Sequence, residues 1–222
     1  MFKRFQKIFE LIGSNFYLIA PSKWIYNQAC KSSLMNTNLI KFVPNTLNLL
    51  PAPRYNSAGT KSRSQVLRVG IASMNKDSYI KGGDLIKELQ DMNSNPGSPL
   101  EFLFLSSSHS QENPEDNFWK MIDVLLVPSR ADNSPNVIHE AKAYAIPVMG
   151  SDVGGITELL SEDFDELIPI KNLNSKYLFE RLANWQNRTR GLSSMQKQFL
   201  EYTNDSVQKH IEIYKDILNP NK

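Results

Sequence analysis

The stretch PSRADNSPNVIHEAKAYAIPVMGSDVGG, Pro128 to Gly155, decides how the chain is read. It overlaps the end of DVLLVPS, an apolar run closed by Pro128 and Ser129. An acidic loop residue, Asp132, precedes Pro135. A second acidic residue, Glu140, falls about one and a half turns into a helical segment expected over about Asn136 to Ala145. Asn133 or Ser134 suits the N-cap and Pro135 the first helical position, where its missing N–H costs nothing. A short apolar run, IPVMGS, then closes on Gly154–Gly155. The rhythm is strand, helix, strand.

The same rhythm extends on both sides. QVLRVGIAS reads as a strand, and GGDLIKELQDM as a helix that opens on a double glycine, with Leu85, Ile86 and Leu89 as its apolar stripe. NSNPGSP is a turn, LEFLFLSS a buried strand and PEDNFWKMI a helix. Beyond the opening stretch, GGITELLS is expected to start another helix, FDELIPI reads as a strand, and the chain from Ser175 onward is mostly helical. Strands alternating with helices predict an α/β fold with a doubly wound, mostly parallel, Rossmann-like sheet. A ligand of such a sheet lies outside the carboxyl ends of its strands, so the residues just after each strand carry the chemistry.

The first third has a different character. Phe2, Phe5, Phe9 and Ile12 recur at helical spacing with Lys3, Arg4 and Lys7 elsewhere on the wheel, the pattern of a basic amphipathic helix. Two readings stay open for it: peripheral contact with an anionic membrane, or packing on the rest of the protein. NFYLIA is strand-like, PSKWIYNQA starts a helix and LIKFVPNTL is extended. Pro51 to Gln65 is polar, rich in Pro, Gly and Ser, without periodicity, and reads as a linker. Residues 1–65 hold nine Lys/Arg against one acidic residue, and the rest of the 222 hold 16 against 22. A basic first third beside an acidic body points to two units.

Composition excludes several classes. With one cysteine, Cys30, there is neither an intrachain disulfide nor a cysteine-based metal cluster. No apolar run approaches the ~18 residues that span a bilayer, and MFKRFQKIFELIG interleaves charge with apolar residues instead of forming a signal-peptide core. A cytoplasmic protein is expected. His109, His139 and His210 show no metal-ligand spacing, there is no nucleophile-elbow signature, and no basic–aromatic pattern marks a nucleic-acid face.

Three strand ends carry candidate groups. Lys81 and Gly82 stand just ahead of a helix, where free N–H groups, the helix dipole and an ammonium favour an anion such as phosphate, although the Walker spacing is absent. Asp132 and Glu140 flank a second helix start, as acceptors suited to sugar hydroxyls. Gly154–Gly155 either lets a ligand approach the backbone or makes a turn.

Together these residues resemble the signature of group-1, retaining glycosyltransferases of the GT-B fold. PSRADNSPNVIHEAKAYAIPVMGSDVGGITELL is similar to their long motif, KGGDLI to their K-G-x-x-x-L element, and APSKWIYNQACKSSL with IKFVPNTLN to the segment joining their two domains. The resemblance implies a nucleotide-diphosphate sugar as donor and no obligatory metal or other cofactor. It assigns Asp132 to the donor sugar, Glu140 to the nucleotide ribose, and Lys81, with Gly82, to the diphosphate and the charge on the leaving group. Backbone groups of Asn133, Ser134, Pro135, Asn136 and Val137 complete the site. It divides the chain into residues 1–50, a remnant of the acceptor-side domain and connecting segment; 51–65, a linker; and 66–222, the donor-binding domain.

Departures from the pattern accompany it. Most of the acceptor-binding domain has no counterpart, Ile71 stands where an Arg is usual, and Asp132 replaces the commoner Glu. Ala145 and Thr46 replace glycines, and Leu105 to Asp123 is short by a strand and a helix. The reading is therefore a glycosyltransferase whose missing half comes from a partner chain or self-association. The alternatives are a non-catalytic module that binds sugar nucleotides, and a fragment of a larger enzyme.

Overall fold

The computed structural model describes residues 7, 8, 11, 16–33, 39–46, 66–72, 78–105, 114–185 and 192–218. The expected helix Phe2–Ile12 lies outside them except for residues 7, 8 and 11, which are helical, and the expected linker 51–65 lies wholly outside. The chain divides into two compact units, Met1–Thr46 with Tyr202–Lys222, and Leu47–Glu201. The sequence reading carries the second unit to residue 222, whereas this division places the last residues with the first.

In the first unit, strands β1 (Leu18–Ala20) and β2 (Ile40–Phe42) pair in parallel, with Leu18 opposite Ile40. Parallel neighbours need a crossover, and helix α1 (Lys23–Cys30) supplies it. Ser22 caps that helix, its hydroxyl accepting from the Ile25 N–H at 3.2 Å. The later residues of this unit meet β2 and the segment after it. The Ser206 hydroxyl donates to the Pro44 carbonyl, and the Lys209 ammonium lies 5.4 Å from the centre of the Phe42 ring.

The second unit is a five-stranded sheet in the order β4-β3-β5-β6-β7, with every pairing parallel. Its strands are β3 (Leu67–Ile71), β4 (Leu100–Phe104), β5 (Val124–Val127), β6 (Val148–Ser151) and β7 (Glu166–Ile168). The helices are α2 (Gly83–Met92), α3 (Pro114–Met121), α4 (Asn136–Ala143) and α5 (Ser175–Ala183), and α6 (Leu192–Leu218) begins in this unit. Among the described residues, helix α3 lies between β4 and β5.

Period-two alternation along fully buried strands explains why helices cover both faces. All four residues of β5 are buried. Val124 and Leu126 pack with Leu85, Ile86 and Leu89 of α2 and Leu178 and Leu182 of α5. Leu125 and Val127 pack on the opposite face with Phe118 and Trp119 of α3 and Ile138 and Ala141 of α4. Each such side chain, once fully buried, contributes roughly 1.5–3 kcal/mol. These clusters are therefore the main force holding the sheet to its helices.

Two local expectations need correction. GGITELLS forms only a short 3₁₀ turn, Ile156–Glu158, in place of a helix. Its apolar residues Ile156, Leu159 and Leu160 have helical spacing but are drawn into the core under β6, and the chain then turns at Ser161, whose N–H donates to Asp165. The helix after Asp132 begins at Asn136, as expected, but Pro135 stands ahead of it and not in its first position. Pro135 has ψ 118°, an extended conformation, so it is the boundary residue, and no side chain caps the helix there. The same helix ends at Ala143, and Ala145, the residue that replaces the family's glycine, has φ 56° while buried against Phe164 and Met195. For a residue with a Cβ the left-handed region costs about 1 kcal/mol, which burial of the methyl group offsets in part.

Candidate functional site

The sheet grows outward from β3 in both directions, so the order switches between β3 and β5, and a crevice opens at their carboxyl ends. A cavity of about 350 Å³ lies there. Its floor is Ile71 and Ala72 from the end of β3 and Leu126 to Ser129 from the end of β5. Ser78, Lys81 and Ile86 complete the lining together with Asp132, Pro135, Asn136 and Val137. The walls are mostly apolar, with two opposite charges facing each other among them. That combination suits a ligand with a charged group and an apolar body.

Lys81 is placed by a tight turn. Tyr79–Lys81 is one turn of 3₁₀ helix, and Gly82 follows in the left-handed region, φ 77°, as the first boundary residue of α2. A Cβ on Gly82 would lie 2.3 Å from the Pro128 carbonyl oxygen, so only glycine lets this turn seat on the end of β5. The Lys81 Nζ then reaches the Asp132 Oδ2 at 2.5 Å. The Lys81 side chain is 44% exposed and that of Asp132 11%. Lys81 thus faces solvent across the cavity mouth while Asp132 is nearly enclosed.

Asp132 is held from behind by the opening stretch's double glycine. Gly154 has φ 56°, and a Cβ there would lie 1.9 Å from the Asp132 carbonyl oxygen. That same oxygen accepts the Gly155 N–H at 3.0 Å. The Ser151 hydroxyl donates to the Ser129 carbonyl, tying the end of β6 to the same loop. The glycines therefore serve the site through the backbone of the Asp132 loop.

The sequence-derived residues fall into two groups. Lys81, Asp132, Pro135, Asn136 and Val137 share the cavity, with Gly82 packed behind Lys81. Asn133 is exposed, Ser134 half-buried, and Glu140, half-buried one turn along α4, is not among the cavity-lining residues. Among the described residues, no three His, Cys, Asp or Glu side chains come together as a metal site.

Arg130 and Asp84 were not singled out from sequence. The Arg130 guanidinium meets both Asp84 carboxylate oxygens at 2.7 Å, lies 3.8 Å from the Tyr79 ring centre and donates to the Tyr79 carbonyl. The hydrogen-bonded guanidinium holds the Asp84 carboxyl below its ordinary value and is itself held above its own. The only signal for Arg130 is its position just after a strand.

His139 and Lys142, on α4, face away from the cavity lining. His139 is buried, and burial, with the nearby Lys142 charge, lowers its pKa from 6.5 to about 4, so it is neutral at pH 7. The Lys142 ammonium is paired with Asp165 at 2.7 Å, with side chains 10% and 1% exposed. Asp165 also accepts the Val148 and Ser161 N–H groups.

The parallel sheet with helices on both faces and a cavity at its switch point is a Rossmann-like unit, the architecture of one half of the GT-B fold. Residues 79–184, slightly under half of the chain, match the family model of group 1 glycosyl transferases. The structure is similar to HepE of Anabaena in complex with UDP, with a TM-score of 0.67, 17% identity, 91% of this chain and 64% of that one. It is similar to a glycosyltransferase of Rickettsia africae, with a TM-score of 0.67, 13% identity, 99% of this chain and 68% of that one. Sucrose-phosphate synthase of Thermosynechococcus elongatus gives 0.63 at 15% identity, over 91% and 58%. At these identities the likeness is one of fold. The chain spans slightly under two thirds of the length of HepE. No curated protein matches it in sequence. Among the described residues no helix is long and apolar enough to cross a membrane.

Proposed function

We propose that this protein binds a nucleotide-diphosphate sugar and acts as the donor half of a retaining glycosyltransferase. The observation that carries the reading is the Lys81–Asp132 ion pair in the lining of a cavity at the sheet's switch point, within the residues that match group 1 glycosyl transferases. HepE, of similar fold, holds UDP and, in other crystals, UDP-glucose.

In this reading Lys81 meets the diphosphate and offsets the charge that develops as the nucleotide leaves, a stabilisation of the kind that dominates such transfers. The start of α4 supplies N–H dipoles to the same anion. Asp132 accepts from hydroxyls of the sugar, and Glu140 from the ribose. No metal enters this scheme. The acceptor is held outside this donor unit, and the reaction takes place in the cytoplasm.

Calorimetry with UDP, GDP, ADP and UDP-glucose tests this, with Lys81→Ala and Glu140→Ala as variants. Saturable binding to the wild type, weakened at least tenfold in Lys81→Ala, is expected; about 1.4 kcal/mol corresponds to that factor. No saturation by millimolar ligand would remove the donor-site reading. Binding without transfer or hydrolysis, even with candidate partner chains, would leave a non-catalytic binding module. Where transfer occurs, NMR of the product's anomeric proton reads retention against inversion.

A further inference from the structure

We propose that Arg130 is a positioning residue that holds Lys81 against Asp132 at the cavity mouth. Arg130 belongs to the loop after β5, the same loop that carries Asp132, two residues on. Its contacts go to the segment that carries Lys81. The backbone N–H of Arg130 donates to the Ile80 carbonyl at 2.7 Å. Its Nη1 donates to the Tyr79 carbonyl at 2.7 Å, and its guanidinium plane lies 3.8 Å from the Tyr79 ring centre. Both forks reach Asp84, in the first turn of α2, at 2.7 Å.

These contacts bracket Lys81 on both sides, at residues 79–80 before it and at residue 84 after it. A bidentate guanidinium–carboxylate pair fixes direction as well as distance, which a single ammonium cannot do. The arginine is mostly covered, its side chain 22% exposed. By contrast, the Lys81 side chain is long, rotamer-rich and 44% exposed. An exposed ion pair gains little against the entropy of holding such a chain in place. Fixing the Lys81 backbone at both ends and joining it to the Asp132 loop removes much of that entropy beforehand. Gly82, seated on the Pro128 carbonyl, closes the third side of the clamp. Arg130 touches none of the reacting groups and acts through Lys81. That a diphosphate is what Lys81 then meets rests on the donor-site reading above.

The full chain is labelled with an amine-acylating reagent under native conditions, and modification rates of individual lysines are read by mass spectrometry. Lys120, which is exposed, serves as reference, and Lys142, buried with Asp165, reports general opening of the domain. In Arg130→Ala, Lys81 is expected to react about fivefold faster relative to Lys120, the scale of a lost half-exposed ion pair, with Lys142 unchanged. Asp84→Asn should move Lys81 the same way, and Arg130→Lys, which keeps the charge but loses the fork, should fall between. A Lys81 rate in Arg130→Ala within twofold of wild type would overturn the proposal, as would equal rises at Lys81 and Lys142. Should Arg130→Ala not fold, the same criteria apply to Asp84→Asn and Arg130→Lys. UDP affinity of the same variants is read beside the labelling, and about a tenfold loss is expected in Arg130→Ala. Failure of the wild type to bind UDP counts against the donor site alone, because the labelling judges the clamp without a ligand.

Discussion

Replacing Gly154 by alanine should both destabilise the domain and disable the candidate site. Two costs add at this position. The backbone has φ 56°, where a Cβ costs about 1 kcal/mol. The new Cβ would also stand 1.9 Å from the Asp132 carbonyl oxygen. A relaxed contact of this kind is above 3 Å, so either the loop or the glycine turn must move by about an ångström. The atom struck belongs to the backbone and cannot swing aside as a flexible side chain does. Movement breaks the Gly155 N–H bond to that carbonyl, for about a further 1 kcal/mol. The expected loss is about 2–4 kcal/mol, a fall of about 1–2 M in the urea midpoint at a slope of about 2 kcal/mol per molar. Gly97→Ala is the control: φ there is 86° but no atom lies within 4 Å of the added Cβ, so it carries the backbone cost alone. Because Asp132 moves with its carbonyl, UDP-glucose affinity should fall at least tenfold in the Gly154 variant and not in the Gly97 variant. Equal urea midpoints for the two variants would refute the reasoning, for the close approach to Asp132 would then cost nothing.

Two further outcomes concern the buried titratable groups on α4, His139 and Lys142. His139 has a pKa of about 4 in the fold against about 6.5 when unfolded. Between those values the unfolded chain takes up a proton that the fold refuses, so stability is complete above pH 6.5 and falls as pH drops toward 4, by up to about 3 kcal/mol. His139→Gln should flatten that slope in urea melts, and an unchanged slope between pH 4 and 6.5 would exclude His139 as its source. Asp165→Asn leaves the buried Lys142 charge uncompensated and should cost about 3–5 kcal/mol. Lys142→Met combined with Asp165→Asn should cost less than the two single changes added together, and simple additivity in urea melts would show that the pair does not act as a unit.

Much of the fold was legible locally. The stripe Leu85, Ile86 and Leu89 and the apolar runs of β5 and β6 are periodic signals that residues near in sequence create together, and each became the element it predicts. The failures came where tertiary packing outweighed local pattern. Ile156, Leu159 and Leu160 have helical spacing, but the pull of the core on all three leaves only a 3₁₀ turn. Pro135 is a good first helical residue by type, yet its extended ψ leaves it as the boundary residue ahead of α4. Of the candidate site, strand ends and helix starts single out Lys81 and Asp132, which the structure brings together in the cavity lining, but not Arg130 and Asp84. Both are ordinary surface types, and nothing in one sequence links positions 46 apart.

The sequence by itself determined the alternation of strands and helices, the places where strands end, and the glycines that mark tight turns. These follow from side-chain period, capping chemistry and the freedom of a residue without a Cβ, all of which act over a few neighbours. The tertiary structure alone decided that Lys81 and Asp132 form a pair, that Gly154 exists to let the Asp132 carbonyl approach, and that Arg130 joins the two loops. Those contacts arise because parallel strands β3 and β5 lie side by side and deliver their carboxyl ends to one crevice. That adjacency is a property of the sheet order, which no local stretch encodes.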